Sequence, residues 1–328
     1  MSRKPRLLFL SLGGTITMVP GEGAGIAPKL GAEELIASVP ALREVAEIDA
    51  ASPFRLPSPS LGADHIIDVA KRIEDAFAGD IDGAVVIQGT DTIEESAFLL
   101  DLLIQGDKPV VVTGAMRGAE APGADGPANL LAAARVAASQ EARGLGTLVV
   151  LNYDIHAARF VHKAHTALPS AFASPLTGPV GVIAEGRTRI LTRPPRLPTL
   201  PTYGGPPPPV ALLTWSMGED GRMLDTLPGL GYRGAVIGGM GAGHVPADVA
   251  PRLGELAMHM PVVLAARTLT GPVFTETYGY PGSEIDLLQR GLIPAGILSS
   301  LKARLLLGLA LRGGGGQAAA GMAFASYR

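Results

Sequence analysis

Short apolar runs punctuate the chain at Leu7–Ser11, Gly83–Ile87, Val110–Thr113, Thr147–Leu151, Ala211–Thr214, Ala235–Ile237 and Val262–Ala265. Runs of this length, bounded by glycine, proline or polar clusters, predict buried strands. Between them the apolar positions recur at three- and four-residue steps, and Asp64–Ile73 and Thr92–Leu103 predict helices. Asp91 or Thr92 is placed to cap the second helix, with Glu94 and Glu95 in the first turn, where the helix dipole favours carboxylates. Strand alternating with helix requires crossover connections, so the predicted class is α/β, a mostly parallel sheet flanked by helices.

The pattern breaks between Pro194-Pro195-Arg196-Leu197-Pro198 and Pro206–Pro209, a stretch that cannot form a helix or an inner strand. It predicts a linker at 191–210 between a large N-terminal domain, 1–190, and a smaller α/β C-terminal domain, 211–328. Within the latter, Leu292–Leu311, with Lys302, Leu305 and Leu309, reads as one long helix. No internal repeat is visible.

Composition narrows the function classes. With 328 residues, 47% apolar and 17% charged, the chain buries a large core, which excludes disorder for most of its length. A net charge of -3 argues against nucleic acid as a partner, because phosphate binding needs clustered Lys and Arg. The absence of cysteine removes disulfides, thiolate nucleophiles, CxxC redox sites and zinc clusters built on sulfur. No apolar stretch reaches the roughly 18–20 residues of a membrane span, so no membrane partner is expected and the expected location is the cytoplasm.

Candidate chemistry collects at strand ends. Gly13-Gly14-Thr15 follows the first strand, Gly89-Thr90-Asp91-Thr92 the second, and Gly114-Ala115-Met116-Arg117 the third, with Asp125 and Asn129 further on. Glycines permit close backbone approach, and the carboxyl ends of parallel strands are where open α/β sheets bind ligands. Arg117 is expected to tie the loop carrying Asp125 to the sheet. Lys163, within Ala158–Thr166, is a solvated charge unless a carboxylate lies beside it, in which case it is a proton-transfer partner for a hydroxyl nucleophile. His156, His162 and His165 lack any metal-ligand spacing, so no metal is expected. Gly239–His244 resembles a dinucleotide loop, but its third glycine is displaced and Arg267 stands where an acidic residue is needed.

Taken together, Gly13-Gly14-Thr15-Ile16, Gly89–Ala97, Lys108–Arg117, Ala124-Asp125-Gly126-Pro127, Ala158-Arg159 with Lys163, Gly178–Gly181 and Lys302-Ala303-Arg304 resemble the bacterial-type L-asparaginase (asparaginase/glutaminase) family over nearly the whole chain. The resemblance implies a two-domain amidohydrolase with no cofactor, a homotetramer or homodimer in which the C-terminal domain completes a neighbour's site. It implies hydrolysis of the L-asparagine side-chain amide to aspartate and ammonia. Thr15 would be the nucleophile, Thr90 the second hydroxyl, and Asp91 and Lys163 its polarising partners. Backbone amides near Gly89 and Thr90 would hold the oxyanion. Ser58, with Ser60 as rival, aligns with a substrate-binding serine, Asp91 would also meet the substrate ammonium, and His244 and either Glu276 or Glu284 would come from the neighbour.

Three departures alter the pocket. Met18–Leu30 has no tyrosine where many members carry one on a lid, Pro59 replaces a glutamine, and His244 replaces an asparagine. Rival readings keep the chemistry on glutamine, a D-amino acid or an asparagine derivative, or make the chain a non-catalytic small-molecule binder or a nicotinamide enzyme.

Overall fold

β-branched and aliphatic side chains pack well on a pleated surface, and the all-buried runs at Gly83–Ile87, Val110–Thr113 and Thr147–Leu151 form the interior of one eight-stranded sheet. The computed structural model describes residues 3–20, 26–28, 31–200, 208–312 and 314–328, with backbone alone for Thr15, 18–20 and 26–28. It divides into two units, Met1–Pro201 and Thr202–Arg328.

In chain order the first unit contains β1 (Arg6–Ser11), β2 (Met18–Pro20), β3 (Ile26–Pro28), β4 (Glu47–Ala51), β5 (Gly83–Ile87), β6 (Val110–Thr113), β7 (Thr147–Leu151), β8 (Asp154–Ala157), β9 (His162–Lys163), β10 (Phe172–Ala173), β11 (Gly181–Ala184) and β12 (Arg187–Ile190). The large sheet runs β12-β11-β8-β7-β6-β5-β1-β4. Its strands from β4 to β7 are parallel, and β8, β11 and β12 continue it antiparallel. Two small antiparallel pairs, β2/β3 and β9/β10, stand outside it.

Helix Ile93–Leu103 packs on β6, β7 and helix Ala63–Phe77. Helix Gly126–Ala137 joins Phe9, Val85, Ile87, Val111 and Leu148 in a separate core cluster. Its run of alanines lets it lie close to the sheet: a Cβ added at Gly83 would fall 2.2 Å from the Ala137 carbonyl oxygen.

Because β1 is flanked by β4 on one side and β5 on the other, the chain leaves it in opposite directions, and the strand order reverses between β1 and β5. A crevice opens at the carboxyl ends of strands at such a point.

Prolines 194, 195 and 198 have no N–H to offer a sheet, and the stretch that contains them is fastened to the first unit by other donors. Arg159 donates to the Pro195 carbonyl, Arg193 to those of Glu141 and Arg143, Arg196 to those of Ile104 and Gly106, and the Leu200 N–H to Leu102.

In the second unit β13 (Val210–Thr214), β14 (Gly234–Gly239), β15 (Val262–Ala266) and β16 (Ile293–Pro294) form a parallel sheet in sequential order. The long helix expected over Leu292–Leu311 is corrected here. Ile293–Pro294 is the edge strand β16, and the helix begins only at Ser300, ending at Arg312. Pro294 excludes a helix interior and suits an edge strand, and Gly296 takes a φ of +61° next to the Tyr327 carbonyl. Among the described residues no helix is long and apolar enough to cross a membrane.

His156 on β8 is fully buried, with Nδ1 3.0 Å from the Ser174 hydroxyl and no partner for Nε2. Burial pushes its imidazole down to about 4. An unfolded chain takes up a proton near pH 6.5 that the folded chain refuses, so this stability is whole above pH 6.5 and is lost as pH falls toward 4, by about 3 kcal/mol in total. Burial raises the Asp154 carboxyl, which opposes the trend at the acid end. Urea unfolding at pH 7 and pH 4.5 should therefore show a larger acid loss in the wild type than in His156→Gln; equal losses would contradict it.

Candidate active site

Two strand ends meet in the crevice through glycine. After β1, Gly13 and Gly14 take φ values of +105° and +92°, a region where a side chain is strained. A Cβ on Gly14 would lie 2.0 Å from the Gly89 nitrogen, and one on Gly13 2.5 Å from the Leu56 carbonyl oxygen. Thr15 then opens the 3-10 turn Thr15–Thr17, closed by bonds from the Thr17 N–H and hydroxyl to the Gly14 carbonyl. The Thr15 side chain, like most of the segment where a lid tyrosine was sought, lies outside the described residues.

The second strand end is shaped by Ser58. Its hydroxyl accepts the Asp91 N–H at 3.2 Å, and a Cβ on Gly89 would sit 2.7 Å from the same oxygen. Ser58 is buried, whereas Ser60 and Pro59 are exposed on the same short turn. Thr90–Thr92 is itself a 3-10 turn, and no side chain caps the helix that follows at Ile93. That replaces the expected cap by Asp91 or Thr92: the Thr92 hydroxyl instead donates to the Ser58 carbonyl and accepts from Gln88.

Lys163 reaches this turn from β9. Its Nζ donates to the Thr90 hydroxyl at 2.9 Å and to Asp91 Oδ1 at 2.6 Å. The lysine side chain is only 16% exposed while that of Asp91 is 58% exposed, so the ammonium is largely withdrawn from water as the carboxylate opens to it. A threonine oxygen that accepts from an ammonium keeps its own proton for another acceptor. The lysine main chain and His162 meet Glu94, whose Oε1 accepts the Lys163 N–H at 3.3 Å and whose Oε2 lies 3.0 Å from His162 Nδ1.

The third strand end is a clamp. Asp125 accepts the N–H groups of Met116 and Arg117, and Asn129 joins Asp125 to the Gly114 carbonyl. The Arg117 guanidinium bonds the Gly123 carbonyl. The three histidines do not converge: His156 bonds Ser174, His162 meets Glu94, and His165 accepts the N–H groups of Ala167 and Leu168. Among the described residues no group of three or more His, Asp or Glu is placed to hold a metal.

The second unit carries its own polar chain. Glu284 is fully buried and accepts the N–H groups of Thr277 and Tyr278 through Oε1, while Oε2 lies 3.0 Å from His244 Nε2. Burial alone pushes its carboxyl up, but the N–H donors of Tyr278, Glu284 itself and Thr277, with His244, together hold it below the usual carboxylate range. The ionised carboxylate favours a proton on Nε2, and Nδ1 lies 2.9 Å from the Tyr280 hydroxyl. Burial and the Glu284 charge raise the Tyr280 phenol and keep it protonated. Glu276 is exposed and absent from this chain of contacts. The Gly239–His244 loop closes on itself through a Met240–His244 bridge, and the next helix starts only at Ala250, so it presents no phosphate-binding helix N-terminus.

The family model described as asparaginase, N-terminal, matches residues 6–196, and that of the glutaminase/asparaginase C-terminal domain matches residues 209–324. The chain belongs to the asparaginase family. A probable L-asparaginase of Deinococcus radiodurans is 39% identical over 321 residues, 92% of each chain. A glutaminase-asparaginase of Pseudomonas fluorescens is 31% identical, covering 93% of this chain and 86% of its own. The crystal structure of a probable cytoplasmic L-asparaginase from Campylobacter jejuni matches with a TM-score of 0.89 and 32% identity, over 99% of this chain and all of that one.

Within this asparaginase, Ser58, Gly89, Thr90, Asp91 and Lys163 are brought together in the first unit, and His244 with Glu284 in the second. Ser60 and Glu276 are left outside both clusters. Two further residues join these clusters: Glu94, three positions beyond Asp91 in the first turn of the helix that follows, a spacing that could have marked it, and Tyr280, for which the sequence holds no spacing signal.

Gly14→Ala adds a methyl where no space exists and forces alanine to positive φ, so a stability loss above about 2 kcal/mol and no measurable turnover are expected. Gly106, at φ +76° with nothing within 4 Å, is the control: Gly106→Ala should cost only about 1 kcal/mol of backbone strain. Thermal unfolding compares them, and a Gly14→Ala protein as stable as Gly106→Ala would refute the close contact.

Proposed function

We propose that the chain hydrolyses the side-chain amide of L-asparagine to aspartate and ammonia, with Thr15 as nucleophile. The observation that carries this is the withdrawn Lys163 ammonium bridging Thr90 and Asp91 beside the Gly14–Gly89 contact, at the point where the strand order reverses. The Thr15 oxygen bonds to the amide carbon while its proton passes to a base, and the carbonyl electron pair moves onto oxygen. Backbone N–H groups near Gly89 and Thr90 hold that oxyanion. Return of the pair breaks the C–N bond, the nitrogen takes a proton and leaves as ammonia, and water then cleaves the Thr15 ester. Thr90, polarised by Lys163 and Asp91, guides the proton transfers.

Ser58, Gly89 and the exposed carboxylate of Asp91 hold the α-carboxylate and α-ammonium of the substrate in this reading. A second copy of the chain supplies His244 and Glu284, in a homodimer or homotetramer. A cytoplasmic location is carried by the description of the Campylobacter jejuni relative. Glutamine is the second amide this chemistry fits, since the Pseudomonas fluorescens relative is a glutaminase-asparaginase.

Thr15→Ala, Thr90→Val and Lys163→Met should each lower kcat by at least two orders of magnitude without unfolding the protein, since each deletes little buried area. Steady-state ammonia release with circular dichroism tests this; wild-type turnover by Thr15→Ala overturns the nucleophile assignment, and a change confined to KM makes Lys163 a binding residue.

Pro59 and His244 alter polar contacts to a free amino acid, each worth about 1.5–3 kcal/mol to a charged group, so losing two weakens L-asparagine by about two to four orders of magnitude. A panel of L- and D-asparagine, glutamine and simple amides should give a high KM for L-asparagine, tightened in Pro59→Gln; saturation at micromolar L-asparagine would contradict this.

A further inference from the structure

We infer that Glu94 is the positioning residue that keeps Lys163 in register with Thr90 and Asp91, and that His162 secures Glu94 in that task. The inference rests on the reading of Lys163 given above and deepens it.

Lys163 stands on β9, a strand of two residues whose partner is the equally short β10, through the pairs Phe172↔Lys163 and Ala173↔His162. Four residues of sheet are too few to fix a position by themselves. Lysine adds a flexible four-carbon stem, so an unheld strand would let Nζ wander. The turn that receives the lysine holds it at both ends. Thr90 and Asp91 take Nζ, and Glu94, three residues past Asp91, takes the Lys163 N–H.

Glu94 is suited to this task. It is buried, it lies in the first turn of helix Ile93–Leu103, where the helix dipole favours its charge, and its second oxygen lies 3.0 Å from His162 Nδ1. One carboxylate thereby spans both residues of β9, a main-chain group and a neighbouring ring. Behind the pair, Ser174 follows directly on β10 and bonds the buried His156 of the large sheet. Glu94 acts through Lys163, and its loss is expected to displace the ammonium rather than to remove a substrate contact. Misplacement of a reacting group by a fraction of its hydrogen-bond reach costs tenfold or more in rate.

The test is steady-state kinetics on L-asparagine, or on whichever amide of the panel is turned over fastest, with amide hydrogen exchange over the segment that contains Lys163. Glu94→Ala should lower kcat at least tenfold, keep KM within threefold and speed exchange at that segment. Glu94→Gln, whose amide oxygen accepts the same N–H, should recover kcat to within threefold of wild type. His162→Gln should give an intermediate loss. Should Glu94→Ala be too unstable to assay, Glu94→Asp takes its place, because a carboxylate one methylene shorter cannot reach the Lys163 N–H.

Wild-type kcat in Glu94→Ala or Glu94→Asp overturns the inference, as does a Glu94→Gln protein no better than Glu94→Ala. Lys163→Met separates the two readings. If that variant is fully active, the role given to Lys163 falls; if it is inactive while the Glu94 variants are fully active, only the positioning role falls.

Discussion

Everything in the first unit's crevice depends on one steric fact: at Gly14 and Gly89 two chain segments touch with no room for a methyl group. The touch joins the ends of β1 and β5, the pair of strands between which the order reverses. Because neither glycine has a side chain, the turn at Thr15 and the turn at Thr90 come together at main-chain distance. Ser58 lies on the same contact and takes the Asp91 N–H, so a third segment is fixed by the same geometry. Asp125 and Asn129 hold the end of β6 in a similar way, by hydrogen bonds to main-chain groups. The crevice is thus built from backbone, and its side chains are mounted on parts that cannot move independently.

A second constraint is electrostatic. Lys163 is brought in from outside the large sheet with its ammonium largely withdrawn from water, which is costly unless partners replace the lost water. Thr90 and Asp91 replace it, and Asp91 remains open to solvent, so the charge is balanced without the carboxylate being sealed away. In the second unit the order is inverted: the carboxylate of Glu284 is the sealed group, satisfied by main-chain N–H donors, and the ring and phenol built on it reach outward.

Much of this was legible because strands, glycines and hydroxyls follow one another in sequence. The ends of β1, β5 and β6 could be marked from apolar runs that stop at glycine, and a lysine of specific spacing could be set beside Thr90 through family resemblance. What could not be read were choices that depend on which way a short turn faces. Ser58 and Ser60 are two residues apart on a 3-10 turn, and only the folded turn shows that one points inward and the other to solvent. Glu276 and Glu284 look equivalent as charges, yet Glu284 is buried and accepts the N–H groups of Thr277 and Tyr278, whereas Glu276 is exposed. The helical spacing at Lys302, Leu305 and Leu309 holds only from Ser300 onward, and extending it back to Leu292 runs across Pro294 and Gly296, whose local stereochemistry outweighs the apolar pattern. From the sequence Glu94 shows only its favourable place at a helix start, since its partners Lys163 and His162 lie far along the chain.

That distance has a kinetic side. The Lys163–Thr90 bond closes a loop of 73 residues, and the strand that delivers the lysine has no stability apart from the sheet and helix it docks on. Contacts of such long range form only after the segments between them are in place, and they slow folding more than they add to stability. The ammonium therefore arrives at its hydroxyl among the last events in the ripening of the first unit. A chain with native-like helix and sheet content can still lack a competent crevice, so regained secondary structure does not by itself report that the Lys163–Thr90 bond has closed.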